Sequence, residues 1–340
     1  MSLTSKSLVW RKIAASFRQN FVFPTNASAN WFPGHMTKGL KMMERTLLET
    51  DLVIEVHDGR IPLSGRYVRF GGHITGHRPH ILVLNKKDLA YSRSRDESEK
   101  LQNRFKKVIM SEDPSLSDVI FTNCKDIRCK GLQSVLPRSI ELIQKSDRYH
   151  RASKPDSNIL IIGVPNVGKS SLINLVRSGS LKIGGKATKV GSTPGVTRAM
   201  QTKIRVHDEP LIYLLDSPGI LMPNIKDMYV ALKLSLCASL KDSAVGEQLI
   251  ADYLLFWLNS HFRFEYVEYM KLEEPIDNCR IMLAKSAIAH GFLTTFKDFE
   301  KAGFRKVPDL TRAANHFIKG FRIGAFGPLN LDTELLQDCE

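Results

Sequence analysis

The sequence predicts an α/β domain built on a doubly wound, mostly parallel sheet, followed by a smaller all-helical C-terminal domain. Three observations predict it. Short apolar runs at residues 51–57, 80–84, 118–122, 158–163 and 211–216 read as buried strands, and helical patterns separate most of them. A glycine-rich stretch at residues 163–170 stands where a strand should give way to a helix. Beyond Asn224 the strand pattern stops and amphipathic helices take over.

In chain order, residues 37–50 carry a helical pattern and run into 51–57, whose LVIEV core reads as a buried strand. The run 80–84 ends at Asn85, and 118–122 ends at Asn123, with a charged surface stretch at 91–107 between them. A helix through 132–144 follows. Residues 146–157 are polar, contain Pro155 and have no apolar period, so they read as a linker splicing two halves of one fold. The strand 158–163 enters the glycine-rich turn, and 170–176 opens the next helix. Residues 200–206 and 211–216 then form a strand pair whose second member ends on Asp216. Strands alternating with helices build such a sheet, and its ligands bind at the carboxyl ends of the strands. In the last third, 227–240, 245–261 and 310–322 are the clearest helices.

The chain of 340 residues has 43% hydrophobic and 25% charged residues, enough to bury a core in two domains. Its formal charge of +14 favours an anionic polymer or membrane surface as partner, although a basic matrix protein would carry such a surplus too. Cys124, Cys129, Cys237, Cys279 and Cys339 are odd in number and lack a second pair at zinc-ligand spacing, so they read as reduced thiols. No apolar run approaches the roughly 18 residues of a membrane span. The first acidic residue is Glu44, while Lys6, Arg11, Lys12 and Arg18 lie among many Ser, Thr and Asn. As a helix this segment gathers Trp10, Ala14, Phe17 and Phe21 on one side, the composition and face of a mitochondrial presequence; a basic arm touching RNA is the alternative.

Residues 163–170, GVPNVGKS, match the phosphate-loop pattern G-x-x-x-x-G-K-[ST] in the strand-to-helix context that confirms it. Backbone N–H groups around Asn166, Val167, Gly168, Lys169, Ser170 and Ser171 wrap phosphates, the Lys169 ammonium meets their charge, and the Ser170 hydroxyl suits Mg2+. After the apolar run LIYLL come Asp216, Ser217, Pro218 and Gly219, in which the carboxylate reaches the metal shell and the Gly219 N–H meets the γ-phosphate. Asn85, Lys86, Lys87 and Asp88 form N-K-x-D at a strand end. A carboxylate at Asp88 accepts from guanine N1–H and the exocyclic amine, whereas adenine offers an acceptor at N1. Asn85 would bridge loops and the Lys86 stem would cover the base. Asn123, in TNCK, is assigned loose base contact because the segment departs from the usual pattern there. In the basic segment 184–198, Thr197 is preferred to Thr193 as the residue completing the Mg2+ sphere and sensing the γ-phosphate.

The order NKKD, TNCK, GVPNVGKS, PGVT, DSPG places base reading before phosphate binding. With WFPGHM at residues 31–36 and DGRIP at 58–62, it resembles the circularly permuted GTPases of the RbgA/YlqF branch, and its mitochondrial ribosome-associated members above all. The resemblance spans residues 31–327 and implies a circularly permuted P-loop GTPase, a GTP/GDP-binding assembly factor for the mitochondrial large ribosomal subunit that contacts rRNA and ribosomal proteins. Ile220 follows DSPG where many GTPases place a water-orienting glutamine. The resemblance gives that role to His35, against which stands a purely structural histidine packing the N-terminal segment. Asn166 resembles the Asn that ligates K+ in potassium-activated relatives. Residues 297–322 hold seven Lys or Arg against three acidic residues, which suits RNA phosphates.

The expected organisation is a presequence at 1–30, the GTPase domain at 31–223, a helical RNA- or ribosome-binding domain at 224–328 and a tail at 329–340. Lys169 and His35 are the expected catalytic residues, with Mg2+ held by Ser170, Thr197 and Asp216. The expected address is the mitochondrial matrix, with peripheral attachment to the inner membrane left open. Two rivals remain: a P-loop kinase, which NKKD argues against, and a nucleotide-stabilised RNA-binding module without turnover, which Ile220 keeps open.

Overall fold

The computed structural model describes residues 3–23, 46–66, 78–92, 94–148, 151–181, 203–217, 227–298 and 303–336. The main elements are α1 (Leu3–Ala14), β1 (Leu52–Asp58), β2 (His80–Asn85), α2 (Arg95–Glu112), β3 (Asp118–Phe121), α3 (Lys130–Gln144), β4 (Ser157–Ile162), α4 (Lys169–Leu181), β5 (Lys203–His207) and β6 (Ile212–Asp216). They continue with α5 (Met228–Leu236), α6 (Glu247–Ser260), α7 (Cys279–His290), β7 (Leu293–Asp298), β8 (Gly303–Pro308) and α8 (Leu310–Ile323). The chain folds as two compact units, one of Asn30–Leu240 with Pro328–Glu340, the other of Met1–Ala29 with Lys241–Gly327.

In the first unit a six-stranded sheet has the order β3-β2-β1-β4-β6-β5. All neighbouring pairs are parallel except β5 with β6, the strand pair read from residues 200–216. β1, β2 and β4 are buried at every position, as strands covered on both faces must be, so their apolar runs show no alternation. Strand order runs outward in opposite directions from the β1/β4 pair, which makes that pair the switch point where such sheets bind ligands. Within β1 the apolar run is broken by Glu55, which is buried with its carboxylate 2.7 Å from His57 Nε2, 3.0 Å from His80 Nε2 and 3.5 Å from the Arg66 guanidinium. Burial alone would raise the Glu55 pKa, but these partners hold it well below the usual carboxylate range.

The linker joining the two halves is anchored to the start of β1. Asp51 accepts from the Asn158 N–H at 2.7 Å, Arg151 Nε at 2.9 Å and Arg148 Nε at 3.2 Å. One buried carboxylate thereby ties β1, the linker and β4 together at the amino ends of the strands, opposite the glycine-rich turn.

The sequence reading set residues 329–340 apart as a tail, but the chain returns here to the first unit. Leu329, Leu331 and Leu336 are buried, the last in the apolar cluster that includes Leu82, Leu84, Phe105 and Ile109.

The second unit is helical. Ala313, Ala314, Phe317, Ile318 and Phe321 of α8 recur at helical spacing and are buried, Asp309 caps its first turn by accepting from the Arg312 N–H at 2.8 Å, and Gly324 ends it in the left-handed region. The reading of this region as helices alone is amended by one element, the antiparallel hairpin β7–β8. The segment read as a presequence is partly folded within this unit. The Arg18 guanidinium pairs with Asp252 at 2.5 Å and Asp277 at 3.1 Å, and Phe21 is buried edge-on against Tyr253. Among the described residues no helix is long and apolar enough to cross a membrane.

Candidate functional site

The carboxyl ends of β1, β2, β4 and β6 converge at the switch point, and each ends in a motif singled out from sequence. Gly163 leaves β4 with φ 141°, and a Cβ there would lie 2.1 Å from the Val56 carbonyl oxygen of β1, so only glycine lets the loop start so close to its neighbour. Gly168 repeats the logic: with φ 102°, its absent Cβ would fall 2.3 Å from Asn85 Nδ2. The loop between them then opens α4 at Lys169, with Ser170 and Ser171 in its first turn.

Asn85 joins the motifs. Its Nδ2 donates to the Val167 carbonyl at 2.8 Å, while its Oδ1 accepts from Thr122 Oγ1 at 3.2 Å and the Cys124 N–H at 3.1 Å. One buried amide therefore ties the end of β2 to the phosphate loop and to TNCK. Asn123 turns inward on its own loop, its Oδ1 accepting from the Lys125 N–H at 2.9 Å. Asp88 lies in the short helix Lys87–Ala90, and Lys125 Nζ approaches its carboxylate at 3.3 Å from the same TNCK segment.

Lys86 takes the left-handed conformation, φ 62°, and its ammonium lies 2.9 Å from Asp58 Oδ2 at the end of β1. Sequence reasoning assigned Lys86 to the base through its stem. The ion pair shows what fixes the stem's position. Asp58 also accepts from Arg60 Nε at 2.9 Å and from a terminal Arg60 nitrogen at 2.8 Å. Burial works to raise the Asp58 pKa, yet Arg60 and Lys86 outweigh it and hold the carboxyl far below its ordinary value. The DGRIP segment thus supplies the support for Lys86. Its signal was present in the sequence only as part of the family pattern, because an Asp-Gly-Arg turn has no distinctive chemistry alone.

Lys169 is buried, and its Nζ donates to the carbonyls of Gly163 at 3.0 Å and Val164 at 2.9 Å, at the mouth of the loop. Desolvation lowers its pKa to about 8, opposed in part by the Asp216 carboxylate. Burial raises the Asp216 carboxyl, against the pull of Lys169 and the Ser217 amide. Asp216 Oδ1 is buried without a hydrogen-bond partner, a cost that a cation would relieve. That orphaned oxygen and the Ser170 hydroxyl in the first turn of α4 are the donor set that fits Mg2+, which takes one or two protein oxygens and completes its octahedron with phosphates and water. Among the described residues no group of three or more His, Cys, Asp or Glu forms a metal cage, as such a shared site requires none.

Two residues hold the phosphate loop from behind. Asn166, φ 60°, donates through Nδ2 to the Ala238 carbonyl at 2.9 Å, and Ser239 Oγ donates to the Pro165 carbonyl at 3.0 Å. His35, Thr197, Gly219 and Ile220 lie outside the described residues.

Comparison with known proteins decides the family. The model of the 50S ribosome-binding GTPase family matches residues 158–280, beginning at β4 and leaving NKKD upstream, as permuted order requires. "Mitochondrial GTPase 1" of Aedes aegypti is 48% identical over 92% of this chain and 97% of its own length. "Mitochondrial ribosome-associated GTPase 1" of Mus musculus is 42% identical over 97% of this chain and 98% of its own. The chain belongs to this mitochondrial GTPase family. The solved GDP-bound structure of TM YlqF shares its fold, with a TM-score of 0.51 and 23% identity over 85% of this chain and 96% of that one. Membership makes the protein a GTPase, and in it Asn85 ties NKKD to the glycine-rich loop and to TNCK.

Proposed function

We propose that the protein binds GTP with Asp88 reading guanine and residues 163–171 cradling the phosphates, hydrolyses it, and uses the cycle to time its stay on the mitochondrial large ribosomal subunit during assembly. The observation that carries this reading is the Asn85–Val167 bond, which joins motifs 82 residues apart into one pocket rim. Lys169, buried and aimed into the loop, meets the charge of the transferring phosphoryl group. Ser170, Asp216 and Thr197 would hold Mg2+, which neutralises phosphate charge when bound. Gly219 would offer its N–H to the γ-phosphate, and His35 would orient the attacking water in the place that Ile220 cannot serve. A K+ requirement rests on Asn166 in the phosphate loop.

The ribosomal partner is supported by the names of the relatives and by the basic surplus of residues 297–322. The relatives' names likewise support a mitochondrial address. We place the protein in the matrix, with the basic N-terminal segment serving import and the inner-membrane surface as a second site of residence.

The test is GTP hydrolysis by the full chain, with and without mitochondrial large subunits, in K+ and in Na+. Stimulation by the particles supports the timer, and loss in Na+ supports the K+ site. Tight GTP binding without turnover under every condition would favour a nucleotide-stabilised RNA-binding module, the reading that Ile220 keeps open.

A further inference from the structure

The C-terminal segment 328–336 touches the guanine-reading side of the site at successive residues. The Leu329 N–H donates to the Leu89 carbonyl at 2.8 Å, in the short helix that carries Asp88. Asn330 Nδ2 donates to the Gly59 carbonyl at 3.1 Å, and the Leu331 N–H donates to the Arg60 carbonyl at 2.8 Å. Asp332, fully buried, accepts the backbone N–H groups of Leu63 and Ser64, both at 2.8 Å, with the Ser64 hydroxyl and Lys233 Nζ as further donors. The Asn330 Oδ1 in turn accepts from the Asp332 N–H at 3.0 Å, which fixes the two side chains relative to each other.

What these bonds hold is the support of the base-reading motif. Gly59 donates its N–H to the Asn85 carbonyl at 2.6 Å, and Arg60 forks onto Asp58, which pairs with Lys86. Two chains of contact therefore run from the tail to NKKD: Asn330 to Gly59 to Asn85, and Leu331 to Arg60 to Asp58 to Lys86. A third, from Leu329, reaches the helix of Asp88 directly.

We propose that residues 329–332 are a positioning element for guanine selectivity, with Asn330 and Asp332 setting the register of the loop 59–64 and, through it, Lys86 and Asp88. This rests on the GTPase reading and deepens it. Residues 241–327 form a separate unit inserted between Leu240 and Pro328. The strand of chain leaving for that unit holds the phosphate loop through Ala238 and Ser239, and the strand returning from it holds the base loops.

The test measures affinity for GTP and for inosine triphosphate, which lacks the exocyclic amine that Asp88 reads. The full chain is compared with Asn330→Leu, near in size but without hydrogen bonds, and Asn330→Ala, which avoids overpacking. Leu336→Ala is the control: it loosens the same tail in its apolar cluster and leaves the 329–332 bonds in place. The folded Asn330 variants should lose GTP affinity by roughly tenfold, the scale of one buried hydrogen bond, while the GTP-to-ITP preference falls severalfold. Leu336→Ala should lower thermal stability and keep the preference. Wild-type preference in a folded Asn330 variant, or an equal change in Leu336→Ala, would overturn the positioning role alone. A wild-type chain without GTP affinity would overturn the parent reading and this one together.

Discussion

Asn85 Nδ2 donates to the Val167 carbonyl at 2.8 Å, so the residue that opens the base-reading motif also sets the position of the phosphate loop. Because Oδ1 serves Thr122 and Cys124 at the same time, truncation leaves partners unpaired on both sides. Asn85→Ala should weaken GTP binding by about 2–3 kcal/mol, close to a hundredfold in Kd, with GDP affected in proportion. Titration calorimetry with both nucleotides checks this; a loss confined to GTP would show that the amide acts on the γ-phosphate side only.

That bond explains which parts of the site could be read from sequence. NKKD, the phosphate loop and Asp216 each stand at the carboxyl end of an apolar, largely buried strand, and in such sheets the carboxyl ends are where ligands bind, so strand ends pointed to the site. The tail was illegible for the opposite reason. Residues 329–332, LNLD, are too short to show a period, and their work is done by backbone N–H groups and two small polar side chains whose partners lie about 270 residues earlier, at a separation of 271 for Asn330 and Gly59. The hairpin β7–β8 had a weak signal in Leu293, Thr294, Thr295 and Phe296, but the charges of residues 297–306 obscured it.

Asp58 is the second point of leverage. It is 1% exposed and balances Arg60, itself 2% exposed, as well as Lys86. Asp58→Asn keeps the shape and removes the charge, leaving the Arg60 guanidinium buried without its counter-ion, at a cost of about 3–5 kcal/mol. The denaturation midpoint in urea should fall accordingly. The wild-type carboxyl has a pKa depressed in the folded state, so its stabilisation is present above the unfolded value of about 4 and is lost as pH falls through the folded one. The Asn variant should therefore show a shallower loss of stability between pH 4 and the acid limit; equal slopes for both proteins would contradict the assignment.

Lys169 titrates in a range that matters in use. Burial brings its pKa to about 8, against 10.5 for a free lysine, so the folded protein gives up this proton before the unfolded chain does. Two consequences of opposite sign follow. Between about pH 8 and 10.5 the unfolded chain binds more protons, so this group's contribution to stability rises with pH. Nucleotide affinity moves the other way, because only the ammonium meets the phosphates: above pH 8 binding should take up a proton and weaken by about tenfold per unit. Calorimetry at pH 9 in buffers of different ionisation enthalpy should show uptake approaching one proton. Lys169→Met should abolish that uptake; uptake that persists would move it to another group.

The N-terminal segment, whose composition resembles an import signal, is folded into the second unit. Arg18 reaches two carboxylates, Asp252 in α6 and Asp277 before α7, and its guanidinium also lies 5.7 Å from the centre of the Phe21 ring and 5.6 Å from that of Phe256. Phe21, 6% exposed, fills the space beside Tyr253 and Phe256. A basic residue next to an apolar face is what an import signal needs, and the same pair here closes the surface of a helical unit. Deleting residues 1–23 should therefore expose apolar surface and uncover two acidic residues that now share one arginine. Phe21→Ala alone should destabilise this unit by about 3 kcal/mol, and Arg18→Ala by less, since that pair is partly solvent-screened. Hydrogen exchange across residues 247–290 reads the effect locally. Faster exchange there, with the strands of the first unit unchanged, is the expected result. Unchanged exchange in the deletion would show that the segment only rests on the unit.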